Sequence, residues 1–256
     1  VALYGTQANR IYALAVLALA SQDKAIRTAV EANGILPSFL SLIKNHEMDI
    51  FVVCHALVAI AKSVAISNPA RERMITSQKA KDEGKDGVPL VIVAATRALR
   101  AAANAYTRMV SMSDNDNDNV LRDMEEQRAA RLQNLVTEGI VFLSLVGVAK
   151  EALVKSSPST SSSSPPCPNI RNLLLLAQSK KNRAARFGAV QAMANLVRSS
   201  EDKEREYNAE LEKLRRVAAK GLGPSKAIEL AKVAGSPAMS KRITRQIVLQ
   251  GGVGAL

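Results

Sequence analysis

The sequence has 256 residues and a net charge of +12, with 47% apolar residues, 3% aromatics and no Trp. That is apolar material enough for a sizeable core, and a core of Ala, Leu, Val and Ile with few rings suits closely approaching helices. The same composition argues against β-sandwiches and barrels, which use aromatic and β-branched residues in short alternating runs.

In chain order, the first apolar run is Ile11 to Ala20. It is too short to span a bilayer and lacks signal-peptide flanks, so it reads as a helix of a soluble, cytoplasmic protein with no membrane partner. Residues Val30 to Pro37 (VEANGILP) then form a corner: Gly34 can adopt positive φ and end one helix, and Pro37 suits the first turn of the next. Apolar residues recur at three- and four-residue spacing through Phe39, Leu42 and Ile43. After a polar bend at Lys44 to Asp49 they recur through Val53, Leu57 and Ile60 in a helix expected over Ile50 to Ala65. A short helix, a Gly/Pro corner, a crossing helix and a longer third helix make up the armadillo unit.

Similar punctuation returns at Gly87 to Val91, with a long helix through Ala94 to Tyr106, and at Thr137 to Leu143. It returns again at Asn169 to Leu176, whose long helix runs Ala184 to Val197, at Ala219 to Pro224, and at Leu249 to Leu256. The expected fold is therefore all-α: an armadillo/HEAT-type right-handed superhelical solenoid over residues 1–256. Both ends fall inside a repeat, so the array reads as a fragment of a longer solenoid whose cut ends can self-associate. Two flexible insertions are expected, at 113–119 (SDNDNDN) and at 156–168 (SSPSTSSSSPPCP).

The first insertion carries the sharpest chemical pattern. Asp114, Asp116 and Asp118 occupy positions 1, 3 and 5 of a calcium-loop spacing, and Glu125 falls at position 12. Position 6 is Asn119 rather than Gly, position 9 is Arg122, and no second loop exists to pair with it. The competing reading is an acidic loop that caps a helix starting near Val120. The two cysteines, Cys54 and Cys167, lie in an apolar helix and in the Ser/Pro tract, which fits a reducing compartment and no metal site. No nucleophile–base pair is visible, and neither catalysis nor a cofactor is expected. Between Ile170 and Gln246 there are seventeen Lys/Arg against seven Asp/Glu. A surface so basic favours an acidic partner. RNA recognition would need interleaved stacking rings, and Phe187 and Tyr207 are the only aromatics in that stretch.

In armadillo units the third helix ends in a pattern like A-L-x-N-L, whose Asn and the residue four before it face the concave groove. Met193-Ala194-Asn195-Leu196 matches it and gives Gln191 and Asn195; Ala103-Asn104-Ala105 matches less closely and gives Arg100 and Asn104. In the first full unit the equivalent pair is His55 and Ala59. These residues are the expected partner-binding groove.

A narrower resemblance begins at Asn182. The helix Arg183 to Val197 precedes the charged run Ser199 to Glu204, the helix Leu211 to Ala218, the Gly221-Leu222 corner, and Arg245-Gln246-Ile247-Val248-Leu249-Gln250-Gly251-Gly252. This order resembles the UCS family of myosin-directed chaperones. The resemblance implies a chaperone or co-chaperone that holds the myosin motor domain in its groove, alongside Hsp90. The alternative is a generic armadillo scaffold or transport adaptor binding another protein in the same groove.

Overall fold

The computed structural model describes residues 6–20, 23–32, 35–45, 48–76, 88–111, 119–155 and 167–198. Among these residues the chain is all-α, with ten helices and no strand.

The helices begin where side-chain oxygens can satisfy free backbone N–H groups. Helix α1 spans Gln7–Ala20 and buries Leu14. Helix α2 (Lys24–Ala32) follows Asp23, whose Oδ1 accepts from the backbone N–H groups of Ala25 and Ile26 at 2.8 and 3.1 Å. Helix α3 (Ile35–Lys44) buries Leu36, Phe39 and Ile43, three- and four-residue steps along one face. Asp49 caps α4 (Ile50–Ile66) by accepting from Phe51 N–H at 2.7 Å. Ser67 then turns the chain with an extended backbone and caps the short α5 (Asn68–Arg71), which runs on into a π-helical turn, Glu72–Thr76. Arg71 fastens that corner, its guanidinium donating to the Val64 and Ala65 carbonyls at 3.2 and 3.3 Å.

The remaining helices are α6 (Leu90–Ser111), α7 (Asn119–Leu143), α8 (Gly147–Lys155), α9 (Pro168–Ala177) and α10 (Arg183–Val197). They pack in two interleaved successions. Helix α1 lies on α4, α4 on α7, and α7 on α10, while α3 lies on α6 and α6 on α9. The small connecting elements complete the layers: α2 meets α3, the π-turn meets α6 and α8, and α8 meets α9.

Helix α4 sits at the centre. Every residue from Phe51 to Val64 is buried, polar ones included. Small residues keep the axes close: Ala94, Ala95, Ala98 and Ala102 on α6 are buried, and Gly139 on α7 faces Leu57 and Val58 of α4. Gly188 of α10 crosses α7 more tightly still. A Cβ there would stand 2.8 Å from the Cβ and Oγ1 of Thr137.

Two sequence expectations need correcting. Thr137 to Leu143 opens no unit; it forms the last two turns of the uninterrupted α7, and the chain breaks after Leu143 instead. The Gly there is buried against α4 rather than placed at a corner. Cys167 does not belong to a loose tract. It is 2% exposed at the start of α9, and its thiol donates to the Leu153 carbonyl at 3.5 Å. Asn169 beside it donates to the same carbonyl at 2.8 Å and to Thr96 Oγ1 at 3.0 Å, tying α9 to α8 and α6.

Candidate functional site

The expected groove residues fall into two groups. His55, Gln191 and Asn195 lie on α4 and α10, helices that both pack against α7. Arg100 and Asn104 lie on α6, exposed, in the other succession of helices. Gln191 and Asn195 do meet: Gln191 Nε2 donates to Asn195 Oδ1 at 3.1 Å. Asn195 is 3% exposed, and its Nδ2 donates to the Val141 carbonyl and Ser144 Oγ at 3.2 and 3.3 Å. Its amide therefore fastens α10 to the end of α7. His55 is 5% exposed and Ala59 1%, so α4 presents no open face at this pair.

Burial also decides the chemistry of α4. The Cys54 thiol is pushed up to about 12, mainly by desolvation, with Asp49 adding and Arg97 opposing. It is a neutral, unreactive thiol. His55 is held below the ordinary imidazole range by burial first and Arg131 second, with Glu138 opposing, and its Nε2 has no partner among the described residues. Two turns further along α4, the nearly fully buried Lys62 reaches Glu138 on α7 at 2.8 Å, and its Nζ stands 5.6 Å from the Phe142 ring centroid. A buried ammonium is tolerated when paired and stacked in this way.

Asp114, Asp116 and Asp118 lie outside the described residues. Glu125 is exposed on the second turn of α7. Among the described residues no three His, Cys, Asp or Glu side chains are grouped to hold a metal ion.

The open ground lies around the first half of α7. Val120, Leu121 and Met124 are 70%, 60% and 63% exposed, and Val110 at the end of α6 is 68% exposed. Two cavities flank this helix end. One, of about 430 Å³, is bounded by Phe51 at the start of α4, by Arg108 and Met109 of α6, and by Glu125 and Arg128 of α7. Arg128 and Arg131 lie over the Phe51 ring at 5.6 and 5.7 Å. The other, of about 490 Å³, opens between the end of α6, α7 and the turn joining α9 to α10.

That turn is built with care. Asn182 Oδ1 caps α10 by accepting from Ala185 N–H at 3.1 Å, and its own N–H donates to Ser179 Oγ at 3.2 Å. Asn182 Nδ2 donates to the Ala130 carbonyl and to Gln133 Oε1, both at 3.1 Å, and so pins the turn to α7. Gln133 is 1% exposed, and its Nε2 is left without a partner among the described residues. Lys181 pairs with Glu126 at 3.0 Å, while Lys180 is exposed and makes no ion pair among the described residues. Sequence reasoning missed Lys180, Lys181, Asn182 and Gln133. The usable signal was Ser179-Lys180-Lys181-Asn182, a basic pair between two helices ending in an N-cap residue.

Compared with known proteins, the chain matches no family model, no curated protein and no solved structure. No helix among the described residues is long and apolar enough to cross a membrane.

Proposed function

We propose that the chain is an armadillo-type, right-handed superhelical array that holds another protein, and that its client is a myosin motor domain. The supporting observation is the packing of each long helix on the long helix three elements further along: α1 on α4, α4 on α7, α7 on α10, with α3, α6 and α9 following the same step. Three-helix units stacked in series produce this pattern, because each unit buries its apolar face only against its neighbours. On that scheme α2–α3–α4, α5–α6–α7 and α8–α9–α10 are successive units, and α1 is the last helix of a preceding one.

A stacked array offers a long, semi-rigid surface that can support a partly folded client without chemistry of its own. With α4 buried, one accessible apolar part of that surface is the first half of α7 and the helix ends around it. The motor-domain client rests on the UCS-like residues from Asn182 onward. Heat-induced light scattering of a purified myosin motor domain tests it, with an equimolar unrelated armadillo array as control. The expected result is suppression of scattering beyond the control. Equal scattering with the two arrays would contradict the chaperone function and leave a scaffold for a different protein.

A further inference from the structure

From the cavity between α6, α7 and the α9–α10 turn, we infer a docking site for an acidic peptide segment of a partner protein, one carrying an aliphatic or aromatic anchor. The inference rests on the protein-binding function proposed above and names the chemistry of one of its contacts.

Three features of the cavity point to that ligand. The first is charge. Among the described residues its rim holds Lys180 and Lys181 against one carboxylate, Glu126, which is already engaged with Lys181. The rim is left net positive, and Lys180 stands exposed with no ion pair among the described residues. Charges on a rim steer and orient an oppositely charged segment. The second is the wall. Met109, Val110 and Ala130 give it an aliphatic lining, and about 490 Å³ lies within the range of side-chain-sized ligand sites. Val110 at the mouth is 68% exposed, apolar surface that an anchor side chain would cover. The third is the floor. Gln133 lines the cavity with its Oε1 held by Asn182, and its buried Nε2 lacks an acceptor among the described residues. A buried donor without an acceptor costs free energy, which a ligand carbonyl or carboxylate oxygen would recover. A peptide supplies all three complements at once: acidic side chains, an apolar anchor and carbonyl oxygens.

Nucleic acid fits less well. Among the described residues Tyr106 is the only ring lining the cavity, and its hydroxyl already donates to the Gln178 carbonyl at 3.5 Å. Single-stranded bases call for several stacking faces, not an aliphatic wall.

The test is fluorescence anisotropy of the whole chain titrated into a short labelled peptide of mixed Glu and Leu. A peptide with Lys in place of Glu and a labelled single-stranded oligonucleotide of equal charge are the controls. The acidic peptide should bind, the lysine peptide should not, and the oligonucleotide should bind more weakly than the acidic peptide. Lys180→Glu should weaken peptide binding about tenfold. Lys44→Glu, an equal charge reversal at the end of α3, should leave it unchanged. Gln133→Glu keeps the acceptor for Asn182 while replacing the free donor by an anionic oxygen, and it should weaken binding further. Lys180 is exposed, so its variant folds whatever the fate of the Gln133 variant. Equal loss in Lys180→Glu and Lys44→Glu, or an oligonucleotide that binds as well as the peptide, would overturn the site. The light-scattering assay separates the two proposals. Motor-domain protection without peptide binding sinks this inference alone, and peptide binding without protection sinks the chaperone function alone.

Discussion

Helices α4 and α7 pack against each other and both against α6, yet α4 and the first half of α7 are opposites. On α4 an unbroken run from Phe51 to Val64 is buried, and even Lys62 and His55 are enclosed. On α7 nearly everything from Val120 to Arg128 faces solvent, with Leu121 and Met124 among the exposed residues. The second half of α7 returns to the core through Val136, Ile140 and Leu143. One helix thus ends as a structural member and begins as a free end. Apolar side chains kept at such a free end are costly to display unless something covers them. Stability should therefore reside in α4 and its crossings, and binding should reside at the start of α7.

The sharpest break in that comparison is a cavity in α4. Leu57 is fully buried against Gly139, and Leu57→Ala should cost about 3 kcal/mol in urea unfolding while the folded fraction still binds. Next in size is the α7–α10 crossing. Gly188→Ala gains about 1 kcal/mol in helix propensity. The new Cβ meets Thr137, which is 2% exposed and pinned by its hydroxyl to the Gln133 and Asn134 carbonyls at 2.9 and 3.1 Å. Overpacking of about 2 kcal/mol outweighs that gain, so thermal unfolding should show a net loss of about 1 kcal/mol.

A third effect is a pH slope. Burial holds the His55 pKa below its unfolded value, so the unfolded chain binds a proton more readily than the folded one. Stability from this residue is complete when the imidazole is neutral in both states, and it falls as pH drops below about 6.5. His55→Leu should flatten that part of the stability–pH curve, and an unchanged slope would place its origin elsewhere. The smallest effect on folding comes at the free end. Met124→Ser should shift stability by less than about 0.5 kcal/mol, yet weaken motor-domain association measured by pull-down.

Much of the helical layout was legible in the sequence. Asp49 before the periodic run Val53, Leu57 and Ile60 marks the start of α4, and the expected Ile50 to Ala65 lies within one residue of Ile50–Ile66. Asn182 before Arg183 does the same for α10. The misread stretch, Thr137 to Leu143, contains a Gly in a β-branched setting that resembles a corner. Only tertiary packing, with Leu57 and Val58 beside that Gly, keeps the helix running through it. Cys167 was misjudged for a related reason. Composition describes the Ser/Pro tract as a whole, while a single carbonyl on Leu153 holds its last residues in place. The cavity was not legible at all. It depends on Asn182 reaching Ala130 and Gln133, a contact between segments far apart in sequence that no local periodicity encodes.

Amide hydrogen exchange with and without a bound myosin motor domain reads α4 and α7 in one experiment and so separates the structural helix from the binding one. Added protection is expected at the end of α6, through the first half of α7 and in the Gln178 to Asn182 turn, with α4 slow and unchanged. Protection confined to α1 through α4, or no change around α7, would contradict that division of roles.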